Sequence, residues 1–273
     1  MNAHSNTDAQ IEHLLGAIFS RYHYDFRGYA TASLRRRIEA ALAHYGCKTI
    51  AALEERLLAE PRLFNGVLNF LTVQVTDLFR DPSYYRSLRD KVLPYLRTYP
   101  SLKVWVAGCA TGEEAYSLAI LFAEEGLLDR TLIYATDINP DSLRIAEGGI
   151  YAVERFQAFS ENYRLAGGRA SLSNYYTARY SSALFDRRLK KAILFSDHSL
   201  ATDSSFAETE LVSCRNVLIY FDRELQDRAV GVLRESLRRK GFLGLGLRES
   251  LRFSAHTAAF TEFVSADRIY QRL

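Results

Sequence analysis

The chain has 273 residues, 48% hydrophobic and 25% charged, the balance of an ordinary soluble globular protein with one large domain or two modest ones. Its net charge of +3 is too small to require a nucleic-acid partner, so none is expected. No run of about 18 apolar residues offers a membrane span. The opening Met-Asn-Ala-His-Ser-Asn-Thr-Asp lacks the basic-then-apolar form of a signal peptide, which makes the cytoplasm the expected location. Cys47, Cys109 and Cys214 are odd in number, widely spaced and set among apolar residues. They read as buried reduced thiols, and with six histidines at no ligand spacing, no metal is expected.

Residues 8–73 read as all-helical. Ile11, Leu14, Leu15, Ile18 and Phe19 recur at helical spacing, as do Leu34, Ile38, Leu42 and Tyr45, then Leu53, Leu57 and Leu58. Pro61 starts a further helix through Phe64, Val67, Leu68 and Leu71. Arg35, Arg36 and Arg37 cluster near a helix start, either as a solvated face or as a patch that docks an acidic helical partner. Residues 74–99 follow as a linker and a connecting helix, Tyr84 to Leu96. Thr76 and Arg80 stand in a polar stretch that could fold over a ligand. Arg80 could equally pair with Asp77 or Asp81 at the surface.

Val104, Trp105 and Val106 form a short run of β-formers, Gly108 to Gly112 a tight turn, and Glu113 and Glu114 open a helix. Strand, glycine turn and helix begin a doubly wound α/β domain, whose ligands sit beyond the carboxyl ends of the strands. A second buried strand, Leu132 to Ala135, ends near Asp137, an acid suited to a ribose diol. The turn is Gly-x-x-x-Gly, and its glutamates stand where a pyrophosphate would want bare helix N–H groups. That favours a nucleoside without phosphates, commonly S-adenosylmethionine, over a dinucleotide. The alternative is a turn that only packs helix on sheet.

Residues 148–200 read as irregular, with glycine-marked turns and a small antiparallel flap at about 165–198. Its expected strands are Tyr175–Tyr180 and Ala192–Phe195. The basic Arg187, Arg188, Lys190 and Lys191 read as a solvated loop or as a site for an anionic partner or nucleotide. A strand at Leu211–Val212 leads into Cys214-Arg215-Asn216-Val217-Leu218-Ile219-Tyr220-Phe221, then a helix from about Asp222 to Arg239. Strands at Phe242–Leu247 and Arg268–Leu273 close the chain.

Four motifs carry a resemblance over nearly the whole chain: Thr-Asp-Leu-Phe-Arg-Asp-Pro (76–82), Gly-Cys-Ala-Thr-Gly-Glu-Glu-Ala-Tyr-Ser (108–117), Ala-Thr-Asp-Ile-Asn (135–139) and the 214–221 segment. The sequence resembles the CheR family of chemotaxis-receptor methyltransferases, which methylate receptor glutamates from S-adenosylmethionine. The resemblance implies an α/β fold: a Rossmann-like class I methyltransferase domain (100–273) carrying a small antiparallel β-subdomain, preceded by the all-helical N-terminal domain. It implies S-adenosylhomocysteine as product, receptor cytoplasmic domains as partners, and a monomer. Thr76 and Arg80 match cofactor contacts from the linker, with Arg80 at the active site. Gly108 and Glu114 match contacts at the first strand and helix, Asp137 the ribose acid, and Arg215 and Asn216 the methionine end. Tyr220 matches the active-site tyrosine, where the residues alone would suggest a strand-end core tyrosine.

Two positions depart from the family pattern. Gln74 replaces the usual Asn, and Ser199 replaces the Asn of the His-Asn-Leu segment that contacts adenine, here His198-Ser199-Leu200. Each lost polar contact costs about 0.5–1.5 kcal/mol, so weaker cofactor binding is expected. Some members use the flap to capture a receptor C-terminal peptide by strand addition. Here the flap region looks longer, and docking through the helical domain is favoured over peptide tethering. Two alternatives stay open: a methyltransferase of another protein in a chemosensory-like pathway, or a cofactor-binding regulatory module. DNA amino-methylation fits poorly, because no Asp/Asn-Pro-Pro-Tyr/Phe motif is present.

Overall fold

The computed structural model describes residues 2–273; Met1, the first residue of the polar opening stretch, lies outside it. Four helices come first: α1 (Asn2–Tyr22), α2 (Thr31–Tyr45), α3 (Ile50–Ala59) and α4 (Phe64–Leu71). Their apolar stripes close one core, with Leu14, Ile18, Ile38, Leu53, Val67 and Leu68 almost fully buried. Pro61 opens a single tight turn, Pro61–Leu63, that leads directly into α4. The connecting helix is α5 (Pro82–Ser87), a widened turn at Leu88–Val92, and α6 (Leu93–Leu96).

The α/β domain follows as β1 (Leu102–Ala107), α7 (Glu113–Glu124), β2 (Thr131–Asp137), α8 (Pro140–Gly148), β3 (Ile150–Ala152), α9 (Phe156–Leu165), β4 (Tyr176–Arg179), β5 (Ser182–Phe185), α10 (Arg187–Lys191), β6 (Ile193–Asp197), β7 (Thr209–Cys214), α11 (Arg223–Ser236), β8 (Leu237–Leu245), β9 (Phe260–Val264) and β10 (Ile269–Arg272). Seven strands form one sheet in the order β6-β2-β1-β7-β8-β10-β9. Its first five strands are parallel, while β10 runs antiparallel to both β8 and β9. The strands alternate between two cores, as a period of two residues requires. Val104 and Val106 join Leu118 and Leu121 of α7, whereas Trp105 and Ala107 join Leu225, Ala229 and Leu233 of α11. The order reverses at β1, whose neighbours are β2 and β7, so a crevice opens at the carboxyl ends of these strands.

The structure corrects the expected flap. Ala192–Phe195 does not belong to it: β6 lies at the edge of the main sheet, parallel to β2, with Ile133 opposite Ile193. The small antiparallel sheet is β3-β5-β4, so it begins at Ile150, ahead of the expected boundary. Glu161 to Arg164, inside the stretch read as irregular, lie within α9. Strand β9 was not expected at all.

The helical domain is bonded to the α/β domain at two places. Ala30 N–H donates to the Tyr220 carbonyl (2.9 Å), Asp222 N–H donates to the Gly28 carbonyl (2.8 Å), and Tyr29 bridges Phe221. Asn139 caps α8 by accepting from Asp141 N–H (2.9 Å), and its amide donates to Asn69 Oδ1 and Thr72 Oγ1, each at 2.9 Å.

Candidate active site

The linker carries backbone strain beside the crevice. Phe79 (φ +53°) and Asp81 (φ +56°) both occupy the left-handed region and flank Arg80. Such a conformation costs about 1–3 kcal/mol per residue and persists only where the surroundings enforce it. Phe79 is fully buried, with its ring against Tyr85 and Tyr163 and its N–H donating to Ser117 Oγ at 2.8 Å. Arg155, not singled out from the sequence, clamps the same stretch: it donates to the Thr76 carbonyl (2.7 Å) and pairs with Glu113 (2.6 Å) and Asp77 (3.1 Å). Arg80 itself is half-buried and donates to the Val75 carbonyl at 3.1 Å.

Arg215 joins three of the four motifs. Its guanidinium pairs with Asp81 (2.7 Å) and Glu114 (3.3 Å) and donates to the Arg80 carbonyl (3.0 Å). It also lies 4.2 Å from the Tyr84 ring centroid. Burial opposes its charge, but Glu114, the flanking tyrosines and Asp81 outweigh that and raise its pKa. Next to it, Asn216 takes a left-handed conformation (φ +59°). The loop is held by Glu249, a buried carboxylate that accepts N–H bonds from Asn216 (2.9 Å), Val217 (2.9 Å), Gly246 (2.6 Å) and Ile219 (3.3 Å). Burial pushes the Glu249 carboxyl pKa up, against the pull of these four amides. Glu249→Ala strands the amides and is expected to cost at least about 2 kcal/mol in urea unfolding, with Glu249→Gln recovering part of it.

A cavity, partly open to solvent, lies at the carboxyl ends of the strands. Thr76 and Arg80 line it from the linker, Gly108 and Glu114 from the first turn and helix, and Asp137 from the end of β2. Leu200, Arg215, Asn216 and Tyr220 complete the predicted residues found there. Asp137 accepts from Ala110 N–H (2.8 Å) and Asn139 N–H (2.9 Å); burial raises its pKa while these amides lower it. Gly108 (φ +74°) passes so near the wall that an added Cβ would meet Val217 Cγ2 at 2.5 Å. Gly108→Ala is expected to destabilise by about 1–2 kcal/mol from backbone conformation alone, and to weaken ligand binding as Val217 is displaced, read by calorimetry.

Three expectations change. Gln74 does not line the cavity: its amide donates to Thr72 Oγ1 at 2.9 Å and its carbonyl accepts from the Ser142 hydroxyl. Ser199 is also absent from the lining, with its hydroxyl accepting from Ala201 N–H at 3.3 Å, while His198 and Leu200 on either side of it do line the cavity. The expected penalty at these two positions therefore has no direct contact behind it. The arginine cluster of α2 is not one patch. Arg35 pairs with Asp8 at 2.5 Å, Arg36 is exposed, and Arg37 is buried (7% exposed) and lines the cavity. Arg37 donates to the Leu71 carbonyl (2.6 Å) and Ser33 Oγ (2.9 Å), and lies 4.7 Å from the Tyr220 ring centroid. With Tyr29, it brings the helical domain into the site. Among the described residues no cluster of three or more His, Cys, Asp or Glu could hold a metal ion, and no helix is long and apolar enough to cross a membrane.

Two family models cover this architecture: the all-alpha domain of CheR methyltransferases matches residues 9–72, and their SAM binding domain matches residues 74–267. The chain belongs to the CheR methyltransferase family. Among its relatives, Cher3 of Pseudomonas putida, provisionally named a methyltransferase, is 53% identical over 100% of both chains. A chemotaxis protein methyltransferase of Listeria monocytogenes is 30% identical over 83% of this chain and 84% of its own. Chemotaxis protein methyltransferase 2 of Pseudomonas aeruginosa is 30% identical over 74% of this chain and 71% of its own. As a CheR methyltransferase the protein depends on S-adenosylmethionine, and the residues present fit that molecule. Asp137 offers carboxylate oxygens to a ribose diol, the left-handed Gly108 leaves room for close approach, and Glu114 with the nearby guanidinium groups suits a zwitterionic amino-acid end.

Proposed function

We propose that this chain transfers the methyl group of S-adenosylmethionine to glutamate side chains in the cytoplasmic domains of chemoreceptors, giving glutamate methyl esters. The observation that carries the reading is one cavity lined by residues from all four motifs, with Arg80 and Tyr220 beside the strand-end residues. Bound S-adenosylmethionine supplies an electrophilic sulfonium methyl. Asp137 and Gly108 hold the nucleoside end, while Glu114, Arg215 and Asn216 form the wall at the methionine end. A glutamate has an ordinary pKa of about 4.3, so at neutral pH it is already an anionic nucleophile and needs no general base. What the protein must do is strip that carboxylate of water and aim it. Arg80 does so as a planar, permanently charged donor, and it cannot act as a base. The Tyr220 hydroxyl is a second donor to the same carboxylate, and Arg37 braces its ring.

The test incubates the protein with methyl-labelled S-adenosylmethionine and receptor-containing membranes. Label released as methanol by base supports carboxyl methylation. Cofactor binding with only base-stable label, or with none, contradicts it.

A further inference from the structure

Glu114 is one of two acids lining the cavity, with Asp137, and one of its oxygens is held by groups that do not line it. Ser213, at the end of β7, donates its hydroxyl hydrogen to Glu114 Oε1 at 2.6 Å. The Tyr84 hydroxyl, at the start of α5, lies 2.9 Å from the same Ser213 oxygen. A serine hydroxyl has one hydrogen, and here it is given to a carboxylate, so Tyr84 must donate to Ser213. All bonds then run one way, Tyr84 to Ser213 to Glu114, and polarise one another in a dry setting. Ser213 is fully buried and Tyr84 is 1% exposed. Burial raises the Tyr84 pKa, which keeps it a donor at neutral pH. Gly244 of β8 makes room for this hydroxyl: a Cβ there would lie 2.2 Å from Tyr84 Oη. The second Glu114 oxygen faces Arg215 at 3.3 Å.

We propose that Tyr84 and Ser213 are positioning residues whose relay fixes the Glu114 carboxylate for the ammonium group of the cofactor's amino-acid end. The inference rests on the cofactor reading above. Because Tyr84 sits on the helix that follows the linker, the relay also ties the linker's placement to the acid that holds the cofactor.

The test is calorimetric binding of two probes, S-adenosylhomocysteine and 5′-methylthioadenosine, which shares the nucleoside and sulfur but lacks the amino-acid end. Ser213→Ala is expected to weaken the first by about five- to tenfold and to leave the second within about twofold. Tyr84→Phe keeps the ring against Gly244 and is expected to weaken S-adenosylhomocysteine by about two- to fivefold, with no further loss in the S213A background. Equal losses for both probes, or a Tyr84→Phe effect that persists in the S213A background, would mean ordinary structural roles and overturn the relay. Wild-type affinity retained in both variants would overturn it while sparing the cofactor reading. A wild-type protein that binds neither probe would overturn both.

Discussion

Replacing Arg80 by alanine is expected to lower methyl transfer by about 10²–10³-fold while unfolding stability stays within about 0.5 kcal/mol of wild type. The two effects separate because of where the side chain sits. Its guanidinium is half-buried and, among the described residues, makes a single hydrogen bond, to the Val75 carbonyl, so deleting it strands no buried charge. The main-chain strain that frames it comes from Phe79 and Asp81, which the substitution leaves in place. Arg80→Lys is expected to recover little, because an ammonium keeps the charge and loses the planar fork that matches a carboxylate. Transfer rate and urea unfolding, measured on the same preparations, check this. Near-normal turnover in the alanine variant would remove Arg80 from the mechanism.

Arg215→Ala should do the opposite and damage the fold along with the site. The arginine is 5% exposed and faces Asp81 and Glu114, so its loss leaves two carboxylates facing each other without their cation. Breaking a buried pair in this way costs about 3–5 kcal/mol. The Arg80 carbonyl loses its donor as well, and the linker loses its tie to the sheet. Urea unfolding should register the loss, and cofactor binding should fall with it. Arg215→Ala with wild-type stability would mean that this network contributes little.

Much of this site was legible because its parts are local. The β1 strand, its glycine turn and the acidic start of α7 lie in one stretch, and each has its own signature of burial, φ or helix pattern. Asp137 was legible from its place at a strand end. Tyr175–Tyr180 does fall in the flap, as β4, but Ala192–Phe195 was misplaced there, because a β-rich run does not say which sheet it joins. That choice is made by pairing with β2, some sixty residues away in sequence, as the Ile133–Ile193 register shows. Arg37 could have been found: it shares a helical face with Leu34, Ile38 and Ala41, all buried. Reading the three arginines as one charged block hid that spacing. Glu249 carried no signal, since nothing near it in sequence predicts that a lone glutamate would cap four amides of two loops. Gln74 and Ser199 drew weight as departures from a pattern, yet their side chains turn toward their own neighbours.

The most direct test of the central claim is to locate the methyl group. A receptor cytoplasmic domain is incubated with the protein and S-adenosylmethionine, digested, and mapped by mass spectrometry. Glutamate side chains are expected to gain the mass of one methylene, which mild base removes and which is absent with Arg80→Ala. Methylation on lysine, arginine or another nitrogen, stable to base, would contradict that claim.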